Sequence, residues 1–323
     1  MLTTRQLLFW ILPIPFLLAL CLLAGSSGFG IPDLGTATGR ALMELRLSRL
    51  ATGFVVGAAL SCSGCALQAV LRNALAEPYV LGVSSGGSLG AAVVIASGLS
   101  AVTPLALPGG AFLGAAATLL LVCAIAQRSS GYTPNTLILT GVVAGSMLSS
   151  LLMLLLSFAR SRAVHGITWW LLGNLQATSW ALLSVAALLV ALALGILFFE
   201  ARALNALVLG NETAHNLGVR TRYAVPAVLA AATLSAAAAV AVSGIIGFVG
   251  LIVPHALRRL AGANHRLLLP CCALFGGAFL VACDTLARTL FAPHEIPVGV
   301  ITSLSGGPFF FYLLTRKGKP SPL

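Results

Sequence analysis

Charged residues divide this chain into long apolar intervals. None occurs between Arg5 and Asp33, and Leu7 to Ala24 is long enough for one membrane-crossing helix, since roughly 20 apolar residues span the hydrocarbon core. Arg49 and Arg72 bracket a second stretch. The uncharged interval from Glu77 to Arg128 holds two, with Pro104 and Pro108 marking the turn between them. Arg128 to Arg160 holds one, centred on Leu137 to Ser157. Arg162 to Glu200 holds another at Trp180 to Phe199, preceded by Trp169 and Trp170. Arg222 to Arg258 is too long for one helix, and Gly244, Gly247 and Gly250 sit near its middle. A span from Tyr223 to Val242, a turn, and a shorter helix ending at His255 to Leu260 fit it. Arg266 to Phe291 gives the ninth span and Ile296 to Thr315 the tenth. The pattern predicts an all-α polytopic membrane protein of about ten transmembrane helices, forming one transmembrane domain over residues 1–323.

An even number of spans puts both termini on one side. With the N-terminus inside, the inner intervals carry about twice as many Lys and Arg as the outer ones, the bias that the positive-inside rule demands. Both termini are therefore expected in the cytoplasm. The formal net charge of +11 is then mostly a topology signal, and nucleic-acid binding is a poor reading of it. Residues 1–24 resemble a signal peptide, but Cys21 to Gly25 is a weak cleavage site. The segment reads as a retained first helix.

Composition narrows the function by exclusion. The spans are rich in small residues, as in Thr52 to Leu67 with Gly53, Gly57 and Gly64, which lets helices approach closely where lipid supplies no hydrophobic drive. The seven cysteines form no framework. Cys62 and Cys65 have the C-x-x-C spacing, but no second pair or histidine lies nearby in sequence, so they and Cys271-Cys272 read as small packing residues. No metal site and no catalytic residue is expected. No H-E-x-x-H, G-x-S-x-G or paired carboxylate occurs, which leaves membrane-embedded hydrolysis unsupported. Ion-coupled carriers need a titratable group inside the membrane. The candidates here are Asp284, four residues before Arg288 on one helix face, and His255 after Pro254. No G-x-x-x-x-G-K-[ST] occurs, so ATP-driven transport would require nucleotide binding by another polypeptide.

Three water-facing stretches remain. Glu200 to Arg222 reads as two short amphipathic helices around Gly210, ended by Gly218. Leu204, Leu207 and Leu209, then Ala214 and Leu217, are expected to offer an apolar face to a partner. Asn211 to Thr213 is a glycosylation sequon that falls on the inner side, where it has no use. The others are Leu71 to Gly87, which begins Leu-Arg-Asn-Ala-Leu-Ala-Glu-Pro-Tyr, and Leu45-Arg-Leu-Ser-Arg49 outside.

At these residues the chain resembles the FecCD-type permeases, the membrane subunits of ATP-binding-cassette importers for iron chelates, haem and cobalamin. The resemblance runs from Leu45 to Leu314. It is strongest at Gln68 to Gly86, Leu209 to Val219, Ser243 to Arg259 and Glu295 to Pro308. It implies a BtuC-like type II importer fold working as a homodimer, with a pathway between the two copies. It also implies two ATPase subunits beneath, which carry the ATP and magnesium while this chain binds no cofactor. A periplasmic or lipoprotein binding protein docks outside, and the setting is the bacterial inner membrane.

The resemblance assigns ATPase coupling to Leu204, Leu207, Leu209, Gly210, Glu212, Ala214, Leu217 and Gly218 within about 200–222. It assigns binding-protein docking to Arg46, Arg49 and Arg288, and the cytoplasmic gate to Asn73, Leu75, Pro134 and Asn135. Two positions depart from the family pattern. Ser48 replaces a proline between the outer arginines, and Ala74 replaces the first proline of the Asn-Pro-Leu-Ala-Glu-Pro signature, which puts local loop geometry in question. The expected cargo is an iron(III)-siderophore chelate, with cobalamin or haem as alternatives. A secondary transporter using Asp284 or His255 is the rival from another class. His165 and His294 are isolated and give no haem-ligating cluster.

Overall fold

A computed structural model describes residues 12–25, 28–129, 131–175 and 178–315. The start of the first expected span and the charges at Arg5, Arg316, Lys317 and Lys319 lie outside the described residues.

The described chain is helical apart from a two-residue antiparallel ribbon, β1 (Ala24–Gly25) with β2 (Gly28–Phe29). In order come α1 (Pro13–Leu23), α2 (Ala37–Val70), α3 (Val83–Ala96), α4 (Ala106–Arg128), α5 (Pro134–Phe158) and α6 (Ser161–Leu171). Then follow α7 (Trp180–Phe199), α8 (Ala201–Leu207), α9 (Asn211–Asn216), α10 (Thr221–Ser243), α11 (Val249–Ala261), α12 (His265–Thr289) and α13 (Val298–Thr315). Among the described residues, α2, α4, α5, α7, α10 and α12 are long and apolar enough to cross a membrane, while α1, α3 and α13 are shorter apolar helices. The remaining expected span is α11, a short helix whose last turn carries Arg258 and Arg259.

The charge map located helix interiors well and some ends poorly. α2 starts at Ala37, capped by Thr36, whose hydroxyl accepts from the Gly39 N–H at 3.0 Å. It runs through Arg40, Glu44, Arg46 and Arg49, so Leu45 to Arg49 is helix and not loop. A charge marks where a helix leaves the hydrocarbon, not where its hydrogen bonds stop. At 34 residues α2 is roughly 51 Å long, well beyond the ~30 Å hydrocarbon core. Pro108 likewise falls in the first turn of α4, where a missing N–H does no harm. The turn itself is Ser97–Leu105.

α2 is the central post. Every residue from Val56 to Val70 is buried, with α7, α10, α11 and α12 packed around it. Glycine makes this possible at two crossings. A Cβ on Gly57 would lie 2.2 Å from the Gly276 carbonyl oxygen of α12, and one on Gly64 would lie 2.0 Å from that of Gly250 on α11. Backbone cannot swing aside as a side chain can. Gly64→Ala is therefore expected to destabilise by about 1–3 kcal/mol, as overpacking does. Gly195→Ala, where nothing lies within 4 Å, should be neutral or slightly stabilising. Thermal unfolding of both variants in one detergent checks the contrast.

Between α10 and α11 the chain turns back through Gly244–Phe248. Gly244 has φ +68° and Phe248, the residue that opens α11, also has φ +68°. This re-entrant turn is braced from the far side of the sequence.

Candidate functional site

At the outer end, four charged residues form one network, with Arg46 close by. Arg49 is bidentate on Asp284, Nε to Oδ2 and Nη2 to Oδ1 both at 2.9 Å, and its Nη1 donates to Glu295 Oε2 at 2.8 Å. Arg288 approaches Asp284 at 3.8 Å and donates to the Cys21 carbonyl at 2.7 Å. Arg46 turns back onto the link after α1, donating to the carbonyls of Gly30 at 2.7 Å, Leu23 at 3.0 Å and Gly28 at 3.3 Å. The three arginines expected to dock a binding protein differ in exposure. Arg46 and Arg288 are only 8% and 4% exposed, because a guanidinium at the membrane edge satisfies its fork of donors on nearby carbonyls and carboxylates. Of the three, Arg49 reaches the surface, through its exposed partner Glu295. Asp284 pairs chiefly with Arg49, a residue of another helix, and only secondarily with Arg288. Ser48 fastens its own turn, its hydroxyl donating to the Thr178 carbonyl at 2.6 Å.

At the inner end, α8 and α9 are the two short helices the sequence predicts, but their apolar residues divide. Leu204, Leu207 and Ala214 are 0%, 1% and 0% exposed, whereas Leu209 and Leu217 are 62% and 63% exposed. The five do not form one partner-facing stripe. Three seat the segment on its own chain, and two stand in solvent beside exposed Glu212 and Gly218. Gly210, at φ +113°, makes the turn between the helices, an angle only glycine adopts freely. Asn205 rivets α8 to the α11–α12 turn. Its Oδ1 accepts from the His265 backbone N–H at 2.8 Å, and its Nδ2 donates to Asn264 Oδ1 at 3.0 Å.

The expected gate residues sit on two stiff elements. Asn73 Oδ1 accepts from the Leu75 N–H at 2.9 Å, an Asx turn that holds the loop where Ala74 replaces the family's proline. Leu75 is left half-exposed. Pro134 begins α5 behind the Thr133 cap, and Asn135 is exposed. The loop after α2 reaches α5 through Val80, whose carbonyl leaves no room for a Cβ on Gly141.

Sequence reasoning missed the brace of the re-entrant turn. Tyr79 donates to the Ile246 carbonyl at 2.9 Å and accepts from the Ile246 N–H at 3.1 Å. Glu77 Oε1 accepts from the Phe248 N–H. Gln68 Nε2 donates to the carbonyls of Ala76 at 3.2 Å and Gly250 at 3.0 Å. Burial pushes the Glu77 carboxyl above its ordinary value, opposed by the Phe248 hydrogen bond, and burial also raises the Tyr79 phenol. The available signal was a Glu-Pro-Tyr between two apolar runs, where a lone carboxylate needs a partner.

The sequence model of the FecCD transport family matches residues 12–316. The cobalamin import system permease protein BtuC of Halobacterium salinarum is 42% identical over 288 residues, covering 88% of this chain and 75% of that protein. The hemin transport system permease protein HmuU of Yersinia pestis is 40% identical, covering 85% and 83%. The iron(3+)-hydroxamate import system permease protein FhuG of Bacillus subtilis is 36% identical, covering 85% and 83%. A metal-chelate type ABC transporter solved in an inward-facing conformation superposes with a TM-score of 0.87 at 32% identity, covering 97% of this chain and 99% of that one. Matched across all its helices in sequence and in fold, the chain belongs to the FecCD transport family, the type II permeases of ATP-binding-cassette importers.

Proposed function

We propose that this chain is the translocation subunit of an importer for a bulky metal chelate, working as a homodimer in the bacterial inner membrane with both termini in the cytoplasm. A separate pair of ATPase subunits drives alternating access, and a periplasmic or lipoprotein binding protein delivers the cargo. The observation that carries this reading is the construction of the inner segment. α8 and α9 are fixed to the bundle by buried Leu204, Leu207 and Ala214 and by Asn205, yet present Leu209, Glu212 and Leu217 to solvent. A rigid mount with an apolar contact surface is what force transmission from a docked subunit requires.

The named relatives carry cobalamin, haemin and hydroxamate chelates at similar identity, so chelate class is the level at which they agree. An iron(III)-siderophore remains our reading of the cargo, with a corrinoid or haem as the alternative. At the outer rim, Arg49 is proposed to meet an acidic residue of the binding protein that displaces its exposed partner Glu295, with Arg46 and Arg288 fixing the helix ends behind it. Asn73, Leu75, Pro134 and Asn135 are proposed to close the pathway inside. An ion-coupled carrier fits less well, because Asp284 is already held by two arginines.

The test is uptake by the assembled transporter in proteoliposomes with external binding protein. Leu209→Asp with Leu217→Asp should abolish ATP-dependent uptake and ATPase association while leaving the melting temperature within error. Leu204→Asp should instead unfold the chain, since it buries a charge without a partner. Undiminished uptake by the Leu209/Leu217 variant, or uptake surviving a disabled ATPase and collapsing with an uncoupler, would reject this reading.

A further inference from the structure

Two neighbouring cavities on one side of the bundle share lining residues and together make a cleft whose chemistry changes from one chamber to the other. The outer chamber, about 550 Å³, lies between α6, the link after it and the α10 end, and is edged by Trp169, Trp170, Asn174, Thr178, Ser179 and Ser243. The inner chamber, about 250 Å³, lies between α4, α7 and α10 and is lined almost wholly by hydrocarbon, including Phe112, Val185 and Leu189. Pro108, Leu182, Ala241 and Val242 line both.

Three observations fix what fits. α4, α7 and α10 are all membrane-crossing helices, and exposed Leu105 and Val185 stand at the edge of the inner chamber. That chamber therefore opens sideways into the bilayer, and an apolar cavity of this kind does not hold ordered water. The outer chamber carries two tryptophans, which mark the membrane–water interface, and the side-chain amide of Asn174 makes no hydrogen bond among the described residues. Among the described residues, neither chamber is lined by Asp, Glu, Lys, Arg or His. The polar end thus recognises by hydrogen bonding and offers no counter-ion.

We propose that the cleft is a binding site for one membrane lipid, the first part of one acyl chain in the inner chamber and a net-neutral head group beside Trp169, Trp170 and Asn174. The polarity order matches a lipid standing in the outer leaflet; the outer chamber, about 550 Å³, falls in the small-ligand range, and the smaller inner chamber takes only the first part of one acyl chain, the rest lying in the bilayer. Bound this way, the lipid splints α6 and the α6–α7 link against the α10 end that leads into the re-entrant turn.

The experiment uses the Trp10→Phe, Trp180→Phe protein, so that fluorescence comes from Trp169 and Trp170, reconstituted in vesicles containing phosphatidylcholine brominated at successive chain positions. Quenching should be strongest for bromine near the head-group end and should resist displacement by phosphatidylglycerol relative to phosphatidylethanolamine. Asn174→Ala should weaken that head-group preference about five-fold, the size of one hydrogen bond. Ala241→Phe, which fills the space between the chambers, should weaken lipid retention roughly ten-fold, with its melting temperature measured alongside because added bulk can itself destabilise. If Ala241→Phe does not fold, Asn174→Ala carries the test alone. Quenching equal to that of random lipid collision, quenching absent because a second copy covers the cleft, or preferential displacement by the anionic lipid would each overturn the proposal.

Discussion

Arg49→Ala is expected to destabilise the protein by about 3 kcal/mol, the low end of the range for stranding one member of a buried ion pair. Asp284 is 3% exposed and takes two short hydrogen bonds from Arg49. Without them its carboxylate keeps only Arg288, whose Nε stands 3.8 Å away while its Nη2 is held by the Cys21 carbonyl. The cost comes from the buried charge left behind, so removing that charge should restore most of the loss. Arg49→Ala with Asp284→Asn is predicted to be more stable than Arg49→Ala alone, a non-additivity of the kind that contacting residues show. Glu295→Gln should change stability by no more than about 1 kcal/mol, because that partner is exposed. Reversible unfolding in bicelles of these three variants, together with Asp284→Asn alone, measures the coupling. Additive single losses would show that the pair is not coupled. The same set separates stability from docking: Glu295→Gln leaves the Asp284 bonds intact, so a change in binding-protein affinity there reports on the rim itself.

That network also marks where the sequence stops being legible. The span expected at about Trp180 to Phe199 matches α7, whose ends are set by the Ser179 cap and the charge at Glu200. The two short helices around Gly210 and the turn after Val242 were read from glycine and periodicity, which are local. Direction is not local. Arg46, Arg49 and Arg288 announce charge, and nothing in their neighbourhoods says that two of them point inward. The five apolar positions of α8 and α9 have the same difficulty: an amphipathic pattern gives a stripe, and only the surrounding bundle decides which part of it is covered. Phe248, Ile246 and Gly250, the partners that Glu77, Tyr79 and Gln68 reach in the re-entrant turn and α11, lie more than 160 residues away in the chain, beyond any pattern rule.

Those distant partners underlie the second large effect. Glu77→Ala is expected to cost about 1–3 kcal/mol, the penalty of a buried donor left without an acceptor, since it strips the Phe248 N–H of its carboxylate. The position is sensitive because Phe248 is held at φ +68°, a conformation that a non-glycine residue keeps only when its surroundings enforce it. Tyr79→Phe removes both bonds to Ile246 and should destabilise by a similar amount. The double variant should fall short of the sum, because both side chains brace one five-residue turn and its first loss already frees it. The loss should appear in transport as well, since the turn leads into α11, which packs on both α2 and α12. Acidity supplies an independent check. The folded protein holds the Glu77 proton more tightly than the unfolded chain does, so its contribution is full below the unfolded value of about 4.3 and is lost as pH rises through the higher folded value. Glu77→Gln cannot titrate. Melting temperatures of wild type and Glu77→Gln, compared across that window, should therefore shift in favour of the glutamine variant as pH rises, and a gap that stays constant or moves the other way would mean that the Phe248 hydrogen bond, not burial, governs this carboxyl.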